Sequence, residues 1–138
     1  MKPSKLAKKL LYSTSLFLLL TGIIWLISHY FMLIEGEFGP EKHPLEIWSL
    51  RLHGLAGVFT LLCIGMLIEH HMLSYFKQKR RLWTGLNLTF LSVWLAFSGY
   101  MLYYLSEDNW RTVFSLGHWI VGIVAVLIFW MHLKFKKY

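Results

Sequence analysis

Apolar side chains crowd into four long stretches of this chain, and the polar residues gather between them. The stretches cover about residues 10–33, 47–75, 82–105 and 112–135. A helix needs roughly 20 apolar residues to cross a hydrocarbon layer about 30 Å thick, and each stretch meets that length. The links are short. Residues 35–46 form the longest and hold Pro40 and Pro44; residues 77–81 and 106–110 form the others. Links this short make neighbouring helices antiparallel. The pattern predicts an all-α fold, an integral-membrane four-helix bundle forming a single domain over residues 1–138.

Composition narrows the class further. Hydrophobic residues make up 57% of the chain and charged residues 15%, against about 25% charged in a soluble domain. A water-soluble fold of this size lacks the interior to hide so much apolar surface, and the same figures exclude disorder. The single cysteine, Cys63, rules out a disulfide scaffold, a zinc ribbon and a c-type haem motif. The net charge of +7 does not indicate nucleic acid, because the basic residues sit in short clusters between the apolar runs.

Those clusters orient the chain. Lys2, Lys5, Lys8, Lys9, Lys77, Lys79, Arg80, Arg81, Lys134, Lys136 and Lys137 fall on one side, and only Lys42, Arg51 and Arg111 on the other. The positive-inside rule then puts both termini and the middle link in the cytoplasm. All the acids but Glu69 lie on the outer side. Tyr30, Trp48, Tyr103, Tyr104 and Trp110 form an outer aromatic belt, and Tyr12, Tyr75 and Trp83 an inner one. The basic N-terminus with its apolar stretch resembles a secretory signal, but the stretch is too long and lacks a small-residue cleavage site. It reads as a retained spanning helix.

Histidine carries the candidate chemistry. Of seven histidines, all but His43 fall inside or at the ends of the apolar stretches, where a polar side chain is costly and points to function. The second and fourth stretches run in the same direction. Each has a histidine near its outer end, His53 and His118, and another near its inner end, His70 or His71 and His132. The 14-residue step from His118 to His132 spans roughly 21 Å and returns to within about 40° of the same helix face. Helical angle favours His71 as the inner residue of the second stretch, and depth favours His70. Two imidazoles facing each other can clamp one haem iron axially. Two layers predict two b-type haems, and a stack of this kind carries electrons across the bilayer. Gly57 and Gly122 each follow the outer histidine by four residues, on the same helix face, leaving room for a porphyrin edge. Arg51 and Arg111, at the outer ends, are suited to pair with haem propionates. No residue is singled out as catalytic.

Four short-looped helices, His53-x-x-x-Gly57, and His118-x-x-x-Gly122 followed by His132 resemble the small dihaem b-type membrane cytochromes. These include the cytochrome b subunits of hydrogenases and formate dehydrogenases and their short relatives. The departure is Leu67, which stands 14 residues after His53 where a matched repeat would put the inner ligand. The resemblance implies haem b as cofactor. It also implies electron transfer between the quinone pool and an extracytoplasmic redox protein, such as a c-type cytochrome or an oxidoreductase subunit. With no nucleotide or flavin motif of its own, the chain would be one subunit of a hetero-oligomeric respiratory complex in a bacterial cytoplasmic membrane. His29 stands near the outer end of the first stretch, as a ligand, a quinone-site residue or a head-group contact. His43 is a loop residue beside Pro44 and Glu46, and Glu69 sits beside the inner histidines. The rival reading is a non-redox structural or assembly subunit whose histidines make interhelical hydrogen bonds; ion transport and pigment binding are further rivals.

Overall fold

The structure, a computed structural model, describes residues 5–67 and 82–134. The chain divides into two compact units, each built around a helical hairpin. In the first, α1 (Lys5–Phe31) leads into a small antiparallel ribbon of β1 (Leu33–Gly36) and β2 (Gly39–Lys42), and α2 (Pro44–Leu67) packs back along α1. In the second, α3 (Leu82–Tyr104) and α4 (Asp108–Lys134) pack together across a short link. All four helices are long and apolar enough to cross a membrane.

Helix boundaries differ from the sequence expectation for local reasons. The longest link is partly folded: Leu33 pairs with Lys42 and Gly36 with Gly39, which ends α1 at Phe31. Gly39 turns the ribbon with φ at 122°, a conformation that a side chain resists. His43 starts α2 before the expected residue. Its carbonyl accepts from the Glu46 amide at 2.9 Å and its Nδ1 from the Leu45 amide at 3.1 Å. Pro44 follows at the first helical position, where no N–H is required. α4 starts at Asp108, with the Arg111 amide donating to the Glu107 carbonyl at 2.9 Å; acids in this first turn favour the positive end of the helix dipole. α1 extends towards the N-terminus to Lys5.

Burial is inverted relative to a water-soluble fold. Among the described residues the buried side chains are small and mostly polar: Thr21, Ser28, Ser49, Ala56, Thr60 and Cys63 in the first hairpin, and Ser98 in the second. Leu16, Ile24, Leu62, Phe90, Val93 and Leu127 point outward and are exposed. Small residues let helix backbones approach when the surroundings are as apolar as leucine. The hydroxyls tolerate this burial by bonding carbonyls one turn back, as Ser28 does to Ile24 at 2.8 Å and Thr60 to Ala56 at 2.8 Å. All five side chains of the expected outer belt, Tyr30, Trp48, Tyr103, Tyr104 and Trp110, are exposed.

Candidate functional site

The Leu18 carbonyl and the Thr21 hydroxyl of α1 converge on one imidazole nitrogen from α2. His53 Nδ1 lies 3.0 Å from the carbonyl oxygen and 3.2 Å from Thr21 Oγ1. A carbonyl only accepts, so Nδ1 carries the proton in this contact. Thr21 fits the same assignment, because its own O–H donates to the Phe17 and Leu18 carbonyls at 2.9 and 3.0 Å. The next residue, Gly22, lets the ring lie flush against α1. A Cβ placed there would stand 3.1 Å from His53 Cε1.

The second hairpin repeats this arrangement. Ser98 Oγ of α3 lies 2.8 Å from His118 Nδ1 of α4, and the same hydroxyl bonds the Leu95 carbonyl at 3.3 Å. A Cβ on the neighbouring Gly99 would stand 3.3 Å from His118 Cε1. A further pair lies along the same two helices, with Thr84 Oγ1 2.9 Å from His132 Nδ1. Thr84 precedes Ser98 by 14 residues and His132 follows His118 by 14, so one antiparallel register generates both contacts. In the first hairpin the corresponding positions are Ala7 and Leu67.

His53, His118 and His132 thus all contact a hydroxyl on the other helix of their hairpin. His70 and His71 lie outside the described residues, as do Glu69, Tyr75 and the basic link. Gly57 and Gly122 sit in ordinary packing: an added Cβ would meet Leu18 Cδ1 and Leu95 Cδ2, each at 3.9 Å. Arg51 is exposed, with its guanidinium carbon 5.2 Å from the centre of the Trp48 ring, and Arg111 is exposed in the first turn of α4. The glycines against the imidazoles are Gly22 and Gly99. Their sequence signal is a hydroxyl–glycine pair, Thr21-Gly22 and Ser98-Gly99, repeated on the helix before each histidine helix.

His29 joins a polar cluster at the ribbon end of the first hairpin. Its Nδ1 lies 2.7 Å from Glu46 Oε1, Trp25 stacks on its ring at 4.7 Å, and Lys42 donates to its carbonyl at 2.9 Å. Glu46 Oε2 is buried without a hydrogen-bond partner among the described residues, and Lys42 Nζ stands 3.9 Å from it. The indole N–H of Trp119, next to His118, is buried without an acceptor among the described residues. Cys63 is a buried free thiol.

Among the described residues, no group of three or more His, Cys, Asp or Glu side chains forms a metal-ion cluster. Axial ligation of a haem iron needs only two imidazoles. No protein-family model, curated protein or solved structure matches this chain.

Proposed function

We propose that this chain is a multi-pass membrane electron-transfer subunit carrying two b-type haems, with both termini in the cytoplasm. The observation that supports this most is the twofold repetition of a histidine whose Nδ1 meets a hydroxyl on the neighbouring helix. Metal-ligating histidines almost always bond through their second nitrogen to a carbonyl, carboxylate or water, which fixes the ring and raises its basicity. His53, held by the Leu18 carbonyl, has this chemistry. His53 therefore has the contact expected of a ligand, while His118 and His132 meet the Ser98 and Thr84 hydroxyls at the same ring position.

In this reading His53 and His118 are the outer ligands, and His132 pairs with His70 or His71 as the inner set. A bound haem would supply a one-electron ferric–ferrous couple. The protein's own part is to hold each imidazole in place, with Thr21, Leu18, Ser98 and Thr84 as the holding groups. Glycine at positions 22 and 99 lets the rings sit close to the helix that holds them. The buried Trp119 N–H is a donor suited to a cofactor carboxylate, and Arg51 and Arg111 are cations for the outer propionates. The four apolar helices support a multi-pass membrane protein and the lysine bias its orientation; in this reading it sits in a bacterial cytoplasmic membrane, with electrons passing between quinone and an extracytoplasmic redox partner within a hetero-oligomeric complex.

The competing reading is a structural or assembly subunit. It is favoured by the same hydrogen bonds, since an imidazole bonded to a facing hydroxyl also serves to join two helices. Visible spectra of the purified protein, oxidised and then dithionite-reduced, separate the two when combined with a count of extracted haem. Sharp b-type bands with two haems per chain are expected. A colourless protein from a haem-replete host overturns the cytochrome reading.

A further inference from the structure

The lysine end of α1 concentrates charge of one sign on one face. At about 3.6 residues per turn, Lys5, Lys9, Tyr12 and Leu16 fall within about 60° of one another round the helix, with Lys8 and Ser13 to either side. These six residues line an open groove of about 460 Å³. All but Lys8 are exposed. The face is turned away from α2: Leu18, Thr21 and Gly22, which meet His53 or Gly57, lie about 110–150° from its midline.

Lysines three and four residues apart are neighbours on a helix, and like charges there oppose folding. α1 contains no acid, and neither of the two ion pairs among the described residues involves these lysines. The groove also changes character along its length. The three lysines precede the apolar stretch that begins near Leu10. Leu16 lies about 9 Å beyond Leu10 along the axis, within a leaflet whose hydrocarbon is about 15 Å deep. Lysine stems can lie along apolar surface while their ammonium groups stay at its polar edge. A cationic head above an aromatic and aliphatic floor is the complement of an anionic amphiphile.

We propose that this face of α1 is a binding site for an anionic phospholipid, with the phosphate diester among Lys5, Lys8 and Lys9 and an acyl chain along Tyr12 and Leu16. Free phosphate leaves the apolar half of the groove unused, and a zwitterionic lipid brings a cation of its own among the three lysines. The site is independent of the haem reading and needs only the spanning helix. It is also distinct from the charge bias that orients the chain. Orientation follows from how many lysines lie on a side, whereas a site depends on which lysines they are.

The test is native mass spectrometry of the intact protein, delipidated in detergent and titrated with phosphatidylglycerol or with phosphatidylcholine of the same acyl chains. The first phosphatidylglycerol is expected to bind at least about tenfold more tightly than the first phosphatidylcholine. Lys5→Gln, Lys8→Gln and Lys9→Gln combined should abolish that preference, and glutamine keeps the helix propensity of lysine. Lys134→Gln, Lys136→Gln and Lys137→Gln combined remove the same charge from the same side and should leave the preference intact. Equal affinity of the wild-type protein for the two lipids overturns the proposal, even if a triple variant fails to fold. Equal loss in the two triple variants overturns it as well, because net charge alone then explains the binding. Inorganic phosphate at millimolar concentration should not displace the lipid; displacement would show an anion site that makes no use of the acyl chain, and the phospholipid assignment falls.

Discussion

The two hairpins match in their middles and differ at their ends. Both pack a hydroxyl–glycine pair against a histidine. Seven residues beyond each glycine lies His29 in the first hairpin and Ser106 in the second; seven before each histidine lies Glu46 in the first and Arg111 in the second. The first hairpin thus has an imidazole–carboxylate pair under a β-ribbon where the second has a serine and an arginine exposed at a short link. Towards the other end, the second hairpin adds the Thr84–His132 contact, and the first has Ala7 and Leu67 at those positions. A feature common to both against such divergence points to one shared task for His53 and His118, with separate tasks at the ends.

The largest expected effect tests that shared task. On the dihaem reading proposed above, His53→Ala and His118→Ala should each lower bound haem from two per chain to one, and should remove the same outer haem. Redox titration followed optically identifies which component is lost. If the two variants lose different haems, the matched middles are two independent sites and the layer pairing is wrong.

A smaller effect tests the close approach on which the match depends. At Gly22 an added Cβ would be 3.1 Å from a ring held by two acceptors, so the ring has little freedom to yield. Overpacking of this kind costs about 1–3 kcal/mol, while alanine in a helix returns up to about 1 kcal/mol. Gly22→Ala should therefore lower stability by about 1 kcal/mol, and Gly99→Ala, with its 3.3 Å approach, by less. Gly65 and Gly85 have open space around them, and alanine there should leave stability unchanged or raise it slightly. Thermal unfolding in one detergent ranks the four variants. Equal results at Gly22 and Gly65 would show that the imidazole is not confined by α1.

The helices were legible in the sequence because length and apolarity alone define such segments. Their starts were less so: His43 and Asp108 begin α2 and α4 through backbone and side-chain bonds that hydropathy does not register. The ribbon was missed because Gly36-Glu37-Phe38-Gly39 lies among polar loop residues, and its pairing depends on the Gly39 φ. At the site, the histidines were visible as polar residues in apolar runs. Thr21, Ser98 and Thr84 were not, since a hydroxyl that bonds its own helix looks the same in sequence whether or not an imidazole faces it. Gly57 and Gly122 drew attention through their spacing from the histidines. The register of the hairpins puts a different pair, Gly22 and Gly99 on the preceding helices, against the rings.

The smallest effect sharpens the difference at the ends. Glu46 is the carboxylate on which the first hairpin closes: it meets His29 at 2.7 Å, and its side chain is 15% exposed. A hydrogen bond to a charged group contributes about 1.5–3 kcal/mol, reduced here because the His29 side chain is 32% exposed to screening. Its second oxygen is buried with no hydrogen-bond donor among the described residues, a cost that truncation removes. Glu46→Ala should therefore destabilise the first hairpin by only about 1 kcal/mol. Arg111→Ala, at the equivalent position of the second, breaks no ion pair among the described residues, so its effect on the stability of that hairpin in haem-free protein should be close to zero. Amide hydrogen exchange resolves the two, because Glu46→Ala should speed exchange at the start of α2 and leave α4 unchanged. Faster exchange in α4 as well would mean that the two ends are coupled, and that the His29–Glu46 pair serves more than its own hairpin.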